Sequence, residues 1–271
     1  MPRVVALYRY PVKGFTPEAC DALTVLDQGR IVGDRSLAFR FADSAIPDDA
    51  WGRKQECVVL MNTPGLARLQ VQLDHKTLRL AIALDGTPLA EAALDADGRQ
   101  RLAATVADYV LTLPENPLTG HPERLPLRLI GDGVTPRYQD NEGGQCTLHG
   151  RGSLAAISIA INAAINAAAG VRDLDEARFR SNISVGGLEA WEEQEWLGRR
   201  VRVGDVEFEV ERRKVRCLAT HANPRTGERD VAVMQTLMKA FGQQQPTFAI
   251  GMVTRGHGGM IRIGDAVYPV D

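Results

Sequence analysis

Cysteine is scarce in this sequence: four residues in 271, at positions 20, 57, 146 and 217, with no Cys-x-x-Cys pair. That spacing excludes a sequence-local zinc knuckle or a ferredoxin-type cluster loop. It is also too sparse for the disulfide framework of a secreted scaffold, so a reducing, cytoplasmic setting is expected. An excess of charge of one sign is lacking too. Lysine and arginine number 32 against 34 aspartates and glutamates, a net charge of -2. This removes the argument for a nucleic-acid or polyanion binder. No apolar run reaches the ~18 residues of a membrane span. Met1-Pro2-Arg3-Val4-Val5 leads directly into a strand-like segment, with no signal peptide visible. Neither nucleic acid nor membrane is therefore an expected partner. Missing as well are a Gly-x-Ser-x-Gly elbow, a Walker loop and a His-Glu-x-x-His pair.

What is present is an ordinary globular composition, 44% hydrophobic and 24% charged. At ~150 residues per domain the length fits two domains or one large one. Pro114, Pro117, Pro122 and Pro126 cluster as a linker or crossover, which sets expected domains at 1–113 and 114–271. Strands are expected over Val4–Tyr10, Ser36–Phe41, Leu66–Leu73, Thr77–Leu84 and Leu127–Ile130. Further on they are expected over Arg200–Val203, Val206–Glu211, Lys214–Thr220, Thr247–Thr254, Met260–Ile263 and Ala266–Val270. Helical spacing marks Gly98–Leu111, Leu154–Ala169 and Val231–Phe241. In the second of these, Ser158, Asn162 and Asn166 form one polar stripe, read as the solvent side of a buried helix. Val201–Val210 echoes Ile261–Val270, each with a central Gly-Asp, which predicts two similar hairpins. Many short strands and few helices give a mainly β, α+β fold with peripheral helices, built on β-barrels.

The chemistry-bearing residues are densest between Arg178 and Asp230. Arg178-Phe-Arg180-Ser-Asn182 is followed by Arg212-Arg213-Lys214-Val215-Arg216-Cys217. A thiol among cations has a lowered pKa, and its thiolate suits a soft metal or an electrophile. Arginines around it would hold a phosphate-bearing cofactor. A buried strand cysteine beside solvated cations accounts for the same residues, so both readings stay open here. The five histidines are scattered; Cys217 and His221 could share a strand face, but two ligands do not define a zinc site. The Gly-rich stretch 131–152 lacks Rossmann spacing, although Gly150-Arg151-Gly152 could offer N–H groups and a cation to a phosphate at a helix start.

Three stretches together resemble the MOSC domain, named for the C-terminal domain of molybdenum cofactor sulfurase, with its associated N-terminal β-barrel domain. They are Arg180-Ser-Asn-Ile-Ser-Val-Gly-Gly, Arg216-Cys217 before Asn223-Pro-Arg-Thr-Gly227, and Tyr10-Pro-Val-Lys13-Gly14 with Asp34-Arg35. The likeness to the mitochondrial amidoxime-reducing component and its bacterial relatives implies a molybdenum cofactor, molybdopterin with its metal. It assigns Cys217 as the catalytic residue and metal ligand. Lys13, Arg35, Arg180, Asn182 and Arg216 become cofactor contacts, joined by Arg151 and Ser153 at the helix start. The activity implied is reduction of a small N-oxygenated (N-hydroxylated) substrate with electrons from a separate donor protein. A cofactor carrier or sulfur-transfer module without turnover is the alternative. His221 and Asp230 are general-acid candidates by sequence proximity alone. Three departures stand out: Gly14 and Val215 where the family often has serine, and an unusual Thr147–Ser153.

Overall fold

The computed structural model describes residues 1–164 and 173–270. Its first strands are β1 (Arg3–Arg9), β2 (Glu18–Cys20), β3 (Ala22–Val25) and β4 (Ala38–Arg40). A three-stranded meander follows, β5 (Leu69–Asp74), β6 (Arg79–Leu84) and β7 (Thr87–Ala93), then helix α1 (Ala96–Leu111) and β8 (Arg128–Ile130). The second half runs β9 (Cys146–Gly150), α2 (Arg151–Ala164), β10 (Ile183–Gly186), β11 (Arg200–Val203) and β12 (Val206–Val215). It ends with α3 (Val233–Ala240), β13 (Thr247–Thr254), β14 (Gly259–Arg262) and β15 (Val267–Val270). The fold is mainly β with three α-helices among the described residues, the α+β class expected.

Strand periodicity explains the meander. Leu69, Val71 and Leu73 point inward from β5 while Gln70, Gln72 and Asp74 face water. The strand begins three residues later than the pattern predicts, because Pro64 opens a 3-10 turn over Pro64–Arg68. Helix α1 starts where the Asp95 carboxylate accepts the Gly98 N–H, a cap worth about 1 kcal/mol. It buries Leu102, Val106 and Val110 on a core shared with Val12, Phe15, Phe39 and Leu129. Strand β8 pairs with β4, so the chain beyond the proline cluster returns to the N-terminal strands.

The larger sheet has eight strands in the order β15-β11-β12-β13-β9-β10-β1-β2, with β9 and β10 parallel. Its second core is rich in valine, from Val4 and Val25 to Val201, Val206 and Val267. Strand β1 pairs with β10, matching Leu7 to Ile183, which places the end of β1 beside the Arg180–Asn182 segment. The sheet curls until Val4 N–H reaches Asp265 O and Val267 N–H reaches Pro2 O, each within 3.0 Å. A single bridge, Arg3 to Ala266, joins these segments. No closed barrel of strand ladders forms among the described residues in either half.

Three expectations are corrected. Strand β12 stops at Val215, and Leu218–His221 is a 3-10 turn, so Lys214–Thr220 is not one strand. The second Gly-Asp copy is no hairpin: β14 pairs with β3 and β15 pairs with β11. There Asp265 takes the Arg262 N–H at 2.7 Å and packs against Gly204, where a Cβ would lie 2.3 Å from its carboxylate. The two Gly-Asp turns thus stack on each other. Finally, Ser158 and Asn162 are buried while Ile159 is exposed, so the polar stripe faces inward. Ser158 Oγ accepts the Leu174 N–H at 3.0 Å and Asn162 Nδ2 donates to Ser158 O at 2.8 Å. Asn166 and the expected end of that helix lie outside the described residues.

Candidate functional site

The N-terminal motifs meet first. Val12 bridges Leu37 in parallel, and Lys13 N–H donates to Leu37 O at 2.8 Å. Asp34 accepts the Tyr10 N–H at 2.8 Å and Asn182 Nδ2 at 3.2 Å, and it pairs with the guanidinium of its neighbour Arg35. Arg35, at a left-handed φ of 51°, donates through Nη2 to Arg180 O at 3.1 Å. Lys13 is almost fully buried and donates to Tyr138 O at 2.8 Å, Gln139 O at 3.0 Å and the Asp140 carboxylate at 3.4 Å. Gly14 sits at φ +82°, and a Cβ there would lie 2.7 Å from Val59 Cα. A serine at 14 has no room, so this departure lets the Val59 segment approach.

The second half supplies the opposing wall. Arg180 occupies the left-handed region, φ 54°, directly after the 3-10 turn Glu176–Phe179. Its Nη1 donates to Phe15 O, and its guanidinium lies over the Tyr10 ring, 4.3 Å from the centroid; Arg35 lies over the same ring at 4.7 Å. Its Nη2 is buried and has no hydrogen-bond partner among the described residues. Arg216 donates from Nε and Nη2 to Phe248 O and from Nη1 to Phe179 O, committing three of its N–H groups to the floor. Cys217 then caps the 3-10 turn, its carbonyl accepting Thr220 N–H at 3.0 Å and Thr220 Oγ1 at 2.9 Å.

Between the walls lies a cleft of about 260 Å³. Eight cations line it, namely Arg35, Lys54, Arg178, Arg180, Arg212, Arg213, Lys214 and Arg216, against one acid, Asp140. Arg35 is neutralised by Asp34, and Arg178 by Asp230 at 2.7 Å. The other six have no acid within ion-pair distance among the described residues. Crowding shows in their acidities. Burial, then the neighbouring Arg35 charge, brings Arg180 down to about 10. Burial likewise brings Arg216 to about 10. Burial and the Arg216 charge bring Lys214 to about 8. Asp140, whose side chain is exposed, goes the other way: the charges of Lys13, Arg35, Lys54 and Arg180 hold its carboxyl well below the ordinary range.

A comparison with family models matches residues 145–268 to the MOSC domain. Residues 145–268 are a MOSC domain. This family is associated with molybdenum cofactor binding. No curated protein matches the chain. Among solved structures, the YUAD protein from Bacillus subtilis is similar at 11% identity and a TM-score of 0.42, over 98% of this chain and 94% of that one. YiiM from Geobacillus stearothermophilus is similar at 15% identity and a TM-score of 0.32, over 48% of this chain and 57% of that one.

Of the residues the sequence singled out, Arg35, Arg180, Arg216 and Cys217 line the cleft. Lys13 lines an adjoining recess that shares Cys217. Asn182 stands behind the wall, its Oδ1 accepting Thr147 N–H and Oγ1, so it holds Asp34 and thereby Arg35. Two residues of the MOSC domain lie elsewhere. Arg151 is half exposed and pairs with Glu176 at 3.1 Å. Ser153 is fully buried, donating to Glu193 at 2.8 Å and accepting the Trp191 N–H at 2.8 Å. A Cβ at Gly152 would lie 2.4 Å from Leu188 O, so glycine there lets the Leu188–Ala190 backbone pack against the helix start. His221 accepts the Met234 N–H at 3.3 Å and Asp230 holds Arg178; neither lines the cleft. Sequence reasoning missed Lys54, Gln139 and Asp140, whose segments carry no local signature and reach the site only through long-range packing.

The residues present fit the molybdenum cofactor. A phosphate suits the unpartnered Nη2 of Arg180 and the surplus positive charge. Pterin N–H donors suit Gln139, whose Oε1 is also buried without a partner. The Cys217 thiol on the same wall suits a soft metal. A pH dependence follows from Lys214, which faces Arg35, Asp140, Arg212 and Arg216 and donates to Gln145 Oε1 at 3.3 Å. Its charge is present below about 8 and lost above it. Pyrophosphate binding measured by calorimetry is therefore expected to weaken several-fold from pH 7 to pH 9. The Lys214→Met variant should lose that dependence.

Proposed function

We propose that this chain is a molybdenum-cofactor-dependent reductase of N-oxygenated compounds, akin to the amidoxime-reducing proteins, served by a separate electron-donor protein. One observation carries the reading: a buried arginine donor without a partner, in a cation-surplus cleft walled by a cysteine. Cys217 would ligate the metal. Arg180 and Arg35 would hold the phosphate end, with Arg216 adding charge from the floor and Lys13 from the recess. When bound, the cofactor supplies the two-electron chemistry. Reduction of an N–OH group breaks the N–O bond, consumes two protons and releases water. Lys214 Nζ holds a proton that it can release near neutral pH, and its partner Gln145 leads on to Glu211 at 2.9 Å and bulk water.

The test is turnover. Protein expressed in a cofactor-producing host, supplied with an artificial electron donor, should convert an arylhydroxylamine to the amine. Bound cofactor without turnover across a broad panel of N-hydroxylated compounds would instead favour a carrier or sulfur-transfer module.

A further inference from the structure

The charge balance of the cleft leaves more than one phosphate to explain. Six cations lack an acid within ion-pair distance among the described residues, and a phosphate monoester carries about two negative charges. Arg212 and Arg213 are exposed at the rim, where water solvates them. Lys54 is different. It stands in the N-terminal 3-10 turn Lys54–Glu56, is only partly exposed, and its ammonium makes no hydrogen bond or ion pair among the described residues. Lys13, its neighbour in the adjoining recess, has three acceptors. Lys54 is thus a cation of the recess with no direct partner among the described residues, beside the open Nη2 of Arg180 and within the electrostatic reach of Asp140.

The recess itself has a second character. Arg35, Lys54, Asp140, Arg180, Cys217 and Ala219 border both it and the main cleft. Beyond them its wall is apolar: Val59, Leu60 and Met61, brought in by the contact at Gly14. That wall is fixed to the cysteine turn. Arg229 donates to Met61 O at 2.7 Å and to Leu218 O at 2.6 Å, while its Nε holds Glu115 at 2.9 Å. A molecule reaching Cys217 from this side therefore meets the Lys54 ammonium and the Arg180 guanidinium, with Asp140 beside them, and a short, braced apolar surface.

We infer that the substrate is a small carboxylate with an apolar body, its carboxylate bound by Lys54 and its body lying on Val59–Met61. This rests on the reductase reading for the identity of the reacting group, but the anion subsite can be tested without turnover. Binding of benzoate and of neutral benzamide to the full chain is compared by calorimetry at pH 7. Benzoate should bind more tightly, and Lys54→Gln should weaken it about tenfold, to the level of benzamide. Lys54→Arg should stay within about threefold of the wild type. Equal binding of the two probes, or benzoate binding unchanged in Lys54→Gln, overturns the inference; the latter would mean that benzoate sits among the other arginines. With cofactor-loaded protein, Lys54→Gln should raise KM for a carboxylated arylhydroxylamine by about tenfold more than it changes KM for the uncarboxylated parent. Equal KM values for the two in the wild type also overturn it. Should neither compound turn over while the benzoate result holds, the reductase reading fails and the carboxylate subsite at Lys54 stands.

Discussion

Exchange of Cys217 for serine is expected to leave the fold intact and to strip the purified protein of molybdenum. The side chain belongs to none of the hydrophobic clusters and is partly exposed, so a hydroxyl costs little there. The turn it caps is held by its carbonyl, which serine retains. What changes is the ligand: a soft, polarisable sulfur gives way to a hard hydroxyl oxygen, a poor match for a soft metal. Loss of supporting residues around metals already costs about 10- to 100-fold in affinity or activity, so loss of the ligand should exceed about 100-fold. Metal content by elemental analysis and turnover should fall together, with the thermal midpoint unchanged. Cys57 and Cys146 supply the contrast. Both are buried in the cores, and burial pushes both thiols up. Serine at either position should cost about 1–3 kcal/mol of stability while metal per folded molecule persists. Full molybdenum occupancy in Cys217→Ser would remove Cys217 from the site.

Local chemistry was legible in the sequence wherever a short-range cause sufficed. The Gly204-Asp205 turn does close the β11–β12 hairpin, with Val203 opposite Val206, and the α1 spacing matches the buried face of that helix. Periodicity failed where it could not say which side was inward. Ser158 and Asn162 were spaced as a solvent strip, yet the chain near Leu174 needed their hydrogen bonds inside. The predicted strand through Cys217 failed because Arg216 turns its N–H to Pro246 O and its side chain to Phe248 O, leaving Cys217 to start a turn. The cleft itself was half legible. The arginines of the second half and the cysteine already cluster in the sequence, but Lys13 and Arg35 could be joined to them only by resemblance, since the pairing of β1 with β10 brings Tyr10 and Arg180 together across 170 residues. Lys54 and Asp140 carry no signature of any kind. Their importance is a matter of charge balance, which exists only once the walls face each other.

That balance gives the second large expected effect, at Arg180. A buried cation beside Arg35, with one donor unsatisfied, disfavours the folded state until an anion arrives. Arg180→Met keeps the length of the side chain and its contact with Tyr10 while removing the charge. It forfeits the bond to Phe15 O but relieves the repulsion and the desolvation. Thermal stability of the cofactor-free protein should therefore hold or rise, by about 1 kcal/mol. The left-handed backbone at 180 does not alter this, because methionine and arginine are equally strained there. Anion affinity should move the opposite way. A charge-assisted hydrogen bond is worth about 1.5–3 kcal/mol, so pyrophosphate binding should weaken about 10- to 100-fold, and cofactor should be lost on purification. Had Arg180 instead been a brace for the fold, the signs would reverse, with stability falling and affinity persisting. Calorimetry on the cofactor-free variant distinguishes the two directly, because the same guanidinium cannot both destabilise the empty cleft and be dispensable to the anion that fills it.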